Sequence, residues 1–348
     1  MPGLLKKLSN WSPSSDWLKI TTIDAHTAGE PLRIVTKGIP ELCGDTMLAK
    51  SRFMSKNYDH LRKHLMWEPR GHADMYGCVI TSPVSEEADF GVIFMHNEGY
   101  SSMCGHGIIA ITKVAVDSGI VKASEPITKV KINSPAGLIT ATGYIENEKV
   151  KEVSFQNVPS FVVALDSKIE INGFGKIKYD LAFGGAYYAY VKAKNVGLTC
   201  YPKDIDKLIY IGREIKKAVS SSIKITHPYD DDLSFLYGTI FIDEDENIQS
   251  HSRNVCVFAD GEVDRSPTGT GVSGRLAIHY AHNEIGIGEQ ITIESIIGTK
   301  FDGKIIESTR FGSFDAIIPE ITGSAFITGK HEFYIDPEDQ IRGGILLR

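Results

Sequence analysis

One short segment occurs twice in this 348-residue chain, once in each half, and it constrains the fold more than any other feature. The first copy reads Met103-Cys104-Gly105-His106-Gly107 and the second reads Pro267-Thr268-Gly269-Thr270-Gly271. Each opens a stretch with helical spacing, Ile108 to Val116 and Val272 to His282, expected to be amphipathic helices. Each stretch runs down to a Gly-Ile pair, Gly119-Ile120 and Gly286-Ile287. A repeat of this kind predicts two similar domains facing each other, with one helix N-terminus from each pointing into a shared cleft. The copies differ where chemistry would sit: position 104 carries a thiol and position 268 only a hydroxyl.

The length also favours two domains, and a hydrophobic content of 42% supplies apolar material for two cores. Net charge is -7 with no basic run, which argues against nucleic acid or an anionic membrane surface as partner. Met1 to Asp16 is polar and is expected to be a frayed arm rather than a signal peptide. No apolar run approaches a membrane span. The five cysteines, Cys43, Cys78, Cys104, Cys200 and Cys256, are scattered and form no CxxC. Neither a disulfide framework nor a zinc site is expected, and a reducing cytoplasm fits best.

Strands are expected at Leu18 to Ile23 and Leu32 to Thr36, flanking a turn-rich loop from Asp24 to Pro31, with a helix over 45–66. Cys78 to Thr81 and Phe90 to His96 read as strands before the Cys104 loop, and Val130 to Gly143 as a hairpin around Ala136-Gly137. After a strand-rich stretch from Val150 to Val162 the order repeats. Strand character around Gly184-Gly185 is followed by a helix over Lys203 to Ser220, then strands at Leu236 to Ile242 and Asn254 to Phe258. Beyond the Thr268 loop come Ile291 to Ile297, Lys304 to Glu307, Asp315 to Ile318 and Ala325 to Ile335. The crossover between halves is placed within residues 155–180.

Gly269-x-Gly271-x-x-Gly274 matches the dinucleotide fingerprint and Gly105-x-Gly107-x-x-Ala110 its relaxed form, but polar residues precede both loops where a strand is required. A nucleotide is therefore not expected. The remaining physical content is that glycines admit close approach and helix-start N–H groups bind an anion, which suits one small carboxylate. Cys104 at a helix start is expected to have a lowered pKa, roughly 3.5–7.5 against about 8.5, and to act as base or nucleophile. Two glycines and a histidine beside it argue against a packed structural cysteine. His106 and Asp264 could hold an amine beside the same cradle. The alternatives are an ordinary loop histidine and a turn aspartate before Ser266-Pro267. His26, Glu30, His72 and Asp74 lack helical His-x-x-x-His spacing, and no metal is expected.

The chain resembles the proline racemase family. The resemblance is carried by Asp24-Ala25-His26-Thr27-Ala28-Gly29-Glu30-Pro31, Gly71-His72-Ala73-Asp74-Met75-Tyr76-Gly77, the Cys104 segment, Ile225-Thr226-His227-Pro228, and Asp264-Arg265-Ser266-Pro267 with the Thr268 segment, in order over almost the whole chain. It implies a fold of the diaminopimelate epimerase-like α/β type. Two pseudo-symmetric domains would each be a curled, mainly antiparallel sheet around a central helix, with the active site in the cleft between them. The implied division is 17–165 plus 330–348 for the Cys104 half and 166–329 for the Thr268 half. Racemases of this family use two cysteines on opposite faces of the α-carbon, and here the second position is Thr268. The Cys/Thr pair looks like that of members that dehydrate trans-3-hydroxy-L-proline. Cys104 and Thr268 are the implied catalytic positions. The backbone of Gly105, His106, Gly269 and Thr270 would bind the carboxylate, and His106 and Asp264 the ring nitrogen. Tyr76 and Phe258 would be pocket walls, and Ser101 would contact the 3-hydroxyl. No cofactor is implied, and a homodimer is. The competing readings are a proline racemase or 4-hydroxyproline epimerase and a non-catalytic amino-acid-binding protein.

Overall fold

A computed structural model describes residues 2–244 and 250–347. The first half runs α1 (Pro2–Ser9), β1 (Leu18–Thr27), β2 (Glu30–Lys37), α2 (Met47–Met66), β3 (Tyr76–Thr81), β4 (Phe90–His96), β5 (Tyr100–Ser101), α3 (Gly105–Asp117), β6 (Ile127–Ser134), β7 (Gly137–Glu146), β8 (Lys149–Gln156) and β9 (Ser160–Ile171). The order then repeats: β10 (Gly175–Phe183), β11 (Tyr187–Lys192), α4 (Ile205–Ser222), β12 (Leu236–Asp243), β13 (Ser252–Phe258), β14 (Glu262–Val263), α5 (Gly269–Ala281), β15 (Gln290–Glu294), β16 (Lys300–Phe311), β17 (Phe314–Gly323) and β18 (Ala325–Ile335).

The pairing repeats with the order. β2–β3 and β4–β6 are parallel, and so are their counterparts β11–β12 and β13–β15. Parallel neighbours need a crossover, and the helices α2, α3, α4 and α5 provide them. The remaining pairs are antiparallel, as in β6–β7–β8 and β15–β16–β17. Strands of the first half wrap α3, which packs on β1, β2, β7 and β8, while α5 packs on β9, β10, β16 and β17. Each half is thus a mainly antiparallel curled sheet around one central helix. The halves also exchange strands: β9 pairs with β10 and β17, and the last strand, β18, returns to β1. The implied limits at 165/166 and 329/330 fall inside β9 and β18, and Arg348 and residues 245–249 lie outside the described residues.

Four local expectations are corrected. The stretch Asp24 to Pro31 is mostly strand, because β1 and β2 pair down to Thr27↔Glu30 and leave only Ala28 and Gly29 as the turn. The polar start is helical from Pro2 to Ser9. The strand expected over Ile291 to Ile297 ends at Glu294, where Ser295 and Thr299 close a turn through Ser295 N–H to Thr299 O at 2.8 Å. Finally, α3 is not amphipathic. Every residue from Gly105 to Thr112 and from Val114 to Val116 is buried, because strands cover it all round. Burying Ile108, Ile109 and Ile111 contributes roughly 1.5–3 kcal/mol each, which holds the helix start in place. Among the described residues no helix is long and apolar enough to cross a membrane.

Candidate active site

The two central helices meet at their N-termini. A Cβ added at Gly105 would lie 2.7 Å from Gly269 Cα, and one added at Gly269 would lie 2.9 Å from Gly105 Cα. Only glycine at both positions allows this approach. The first-turn N–H groups of both helices therefore converge on one point, which is favourable for an anion. A small cavity opens there. Its lining includes Cys104, Gly105 and His106 from one helix start and Asp264, Thr268, Gly269 and Thr270 from the other.

Cys104 caps α3 in an extended conformation, with Gly107 N–H donating to its Sγ at 3.3 Å, the bond a Ser or Thr cap would make. His106 Nδ1 lies 3.2 Å from the same sulfur. The thiol is corrected in one respect. It is not held below the ordinary thiol range but pushed well above it, first by burial and further by the nearby charge of Asp264, with the Gly107 bond opposing. Desolvation of a sulfur anion outweighs the helix start here. Burial likewise pushes the His106 imidazole down, toward its neutral form, against the pull of Asp264.

Thr268 occupies the matching cap position but makes no cap bond, and its φ of 67° is a costly conformation for a β-branched residue, about 1–3 kcal/mol. Its Oγ1 is buried without a hydrogen-bond partner among the described residues, beside the Cys256 sulfur. The preceding turn holds this geometry. Ser266 N–H donates to Asp264 Oδ1 at 2.7 Å, and Thr268 N–H to Ser266 Oγ at 3.1 Å. Thr270 Oγ1 contacts the Tyr188 hydroxyl at 2.8 Å.

The walls are aromatic. The Tyr76 and His106 ring centroids are 4.8 Å apart and edge-on, and Phe258 stacks on Tyr237 at 5.4 Å. Tyr76 O–H donates to Ser101 Oγ at 2.5 Å, and Ser101 Oγ lies 2.7 Å from Tyr237 O–H. Burial pushes both tyrosines up, so they stay protonated. Ser101 is therefore engaged behind these two rings and is not part of the lining. The other expected residues, Cys104, Thr268, Gly105, His106, Asp264, Gly269, Thr270, Tyr76 and Phe258, are brought together around the one cavity.

Sequence reasoning missed Glu30, Met103, Tyr188, Tyr237 and Cys256, which complete the lining. Strand alternation could have found Cys256, two residues before Phe258 and so on the same face of β13. Tyr188 and Tyr237 sit within β11 and β12 and read only as core aromatics. Across the cleft, Arg265 N–H donates to Glu30 Oε2 at 2.8 Å and its guanidinium to Asp74 O at 3.0 Å. Among the described residues no group of three or more His, Cys, Asp or Glu is placed to hold a metal ion.

Two opposed helix starts thus bound one small cavity that carries a thiol on one side and a hydroxyl on the other. The family model described as proline racemase matches residues 22–346, and the chain belongs to that family. It is 52% identical over 345 residues to a trans-3-hydroxy-L-proline dehydratase of Colwellia psychrerythraea, covering 98% of this chain and 97% of that protein. It is 47% identical over 326 residues to a proline racemase of Acetoanaerobium sticklandii, covering 93% and 97%. The crystal structure of a hydroxyproline epimerase from Agrobacterium vitis with bound trans-4-hydroxy-L-proline superposes with a TM-score of 0.89 at 30% identity, covering 95% of this chain and 96% of that one.

Proposed function

We propose that this chain is a hydro-lyase that converts trans-3-hydroxy-L-proline to Δ1-pyrroline-2-carboxylate and water. The observation that carries the reading is the asymmetry of the cavity: a thiol caps one helix and a hydroxyl stands at the matching place on the other. In trans-3-hydroxy-L-proline the α-hydrogen and the 3-hydroxyl lie on the same ring face, so one base on that face suffices. Cys104, as thiolate, takes the α-proton. Thr268 does not serve as a second acid/base, because an alcohol is far less acidic than a thiol. The N–H groups of Gly105, His106, Gly269 and Thr270 hold the substrate carboxylate and stabilise the charge that develops on it. His106 and Asp264 hold the ring nitrogen, and Tyr76 and Phe258 confine the ring. C–O cleavage gives the enamine, which tautomerises to the imine. None of these steps calls for a cofactor.

The substrate is a small amino acid. The racemase or epimerase reading requires a second acid/base on the Thr268 side, and inversion rather than water loss would mark it. The division into a Cys104 lobe and a Thr268 lobe is supported by the return of β18 to β1. Family membership supports a homodimer, and the five free cysteines support a reducing, cytoplasmic setting.

The test is to incubate the purified protein with trans-3-hydroxy-L-proline and trap the imine with o-aminobenzaldehyde. Colour is expected with wild type and not with a folded Cys104→Ser variant. An active Cys104→Ser enzyme would sink the thiolate mechanism, and a colourless wild type would sink the dehydratase reading.

A further inference from the structure

We propose that Glu30 is the catalytic acid that gives its proton to the departing 3-hydroxyl; this deepens the dehydratase reading and rests on it. Glu30 opens β2, is 0% exposed, and lines the same cavity as Cys104 and Thr268. Its carboxyl is anchored at one oxygen only. Oε2 accepts the Arg265 backbone N–H at 2.8 Å, while Oε1 is buried with no partner among the described residues.

A buried carboxylate with one neutral hydrogen bond is poorly solvated. Burial, with the charge of Asp264 and a smaller contribution from Asp74, holds Glu30 well above the usual carboxylate range, and the Arg265 guanidinium, 3.6 Å away, does not cancel them. The residue therefore stands as a neutral acid. Since Oε2 accepts, the proton belongs on Oε1, and what Oε1–H requires is an acceptor oxygen inside the cavity.

The leaving hydroxyl is that acceptor. It departs from the face on which the α-proton is taken, and Glu30 comes from the half that carries Cys104. β2 pairs with β1 and β3, and Glu30 lines the same cavity as the Cys104 sulfur. The other candidates are less suited. The hydroxyls of Tyr76, Ser101 and Tyr237 are bonded to one another. Thr268 is an alcohol on the opposite helix start.

The step balances. The Cys104 thiolate takes the α-proton, and the Cα–H electron pair becomes the Cα=C3 π-bond. The C3–O bond breaks with its pair on oxygen, and the Oε1 proton joins that oxygen to give water and a Glu30 carboxylate. Return of the proton from the Cys104 thiol to Glu30 resets the site. The enamine becomes the imine by loss of the nitrogen proton and gain of a proton at C3 from solvent.

The test is Glu30→Gln, which keeps the shape and the acceptor for Arg265 N–H but has no transferable acidic proton. Two substrates separate acid catalysis from architecture: trans-3-hydroxy-L-proline, and trans-3-chloro-L-proline, whose chloride leaves without a proton. Dehydration should fall by about 10²–10⁴-fold, while chloride release stays within about threefold of wild type. In D2O the unreacted hydroxyproline should gain deuterium at the α-carbon, since Cys104 still works. Glu30→Asp, which retains an acid, should recover part of the loss. Equal losses on both substrates would make Glu30 architectural and overturn the proposal, and so would dehydration within about threefold of wild type. A wild type that fails to dehydrate trans-3-hydroxy-L-proline removes the underlying reading itself, an outcome distinct from either.

Discussion

Replacing Gly105 by alanine tests whether the two helix starts must touch. The added Cβ would lie 2.7 Å from Gly269 Cα, 3.2 Å from the Gly269 carbonyl carbon and 3.1 Å from Phe155 Cζ. Non-bonded carbons settle near about 3.5–4.0 Å, so the helix starts must part by about 1 Å. Two of the three obstacles are backbone atoms and cannot rotate away. Overpacking of this kind costs about 1–3 kcal/mol of stability. A domain stable by about 5–15 kcal/mol stays folded after that loss. Activity should suffer more than stability. A 1 Å displacement separates the halves of the carboxylate cradle and moves Cys104 from the α-carbon, for an expected loss of about 10²-fold in kcat/KM. The assay pairs imine trapping with urea denaturation, and Gly99→Ala, whose Cβ would meet nothing within 4 Å, serves as the control. A Gly105→Ala enzyme that stays within about threefold of wild type would refute the claim that close helix contact sets the catalytic geometry.

Three further outcomes are expected. Burial, together with Asp264, raises the Cys104 thiol, so the thiolate fraction at a given pH is smaller than for a free thiol. The groups facing it, Tyr76, His106, Asp264, Glu30 and Cys256, line one cavity. On trans-3-chloro-L-proline, whose reaction does not draw on the Glu30 proton, kcat/KM should therefore climb with pH beyond the ordinary thiol value of about 8.5, and a profile already flat below it would contradict the raised thiol. Thr268→Cys should bring measurable inversion of L-proline or trans-4-hydroxy-L-proline, read by chiral chromatography. The strained φ of 67° is no harder for Cys than for Thr, and the lack of any inversion would show that a second base needs more than this side chain. Arg33→Leu should destabilise the fold by about 3–5 kcal/mol in urea unfolding, because it strands the largely buried Asp24 carboxylate and deprives the Leu65 and Arg70 carbonyls of their donor. A loss under about 1 kcal/mol would mean that water replaces the guanidinium.

The internal repeat, the two glycine-bearing helix starts and the Cys104/Thr268 asymmetry were all legible in the linear chain. Helix caps and strand alternation are short-range, set by residues within a turn or two of one another. The order of elements in each half followed from these, and the family resemblance completed the nine expected residues now seen around the cavity, Tyr76 and Phe258 among them. Long-range packing settled what short-range pattern could not. Local reasoning put the Cys104 thiol low because it saw only the helix start. The folded chain puts it high because desolvation depends on every group that excludes water, most of them remote in sequence. Glu30 joined the site because β2 runs beside β1 and β3 and meets the Arg265 amide of the other half. Tyr188 and Tyr237 joined it from mid-strand positions with no marking of their own. The strand exchange of β9 and β18 has the same origin, since hydrogen-bond pairing between distant strands leaves no trace in the spacing of either.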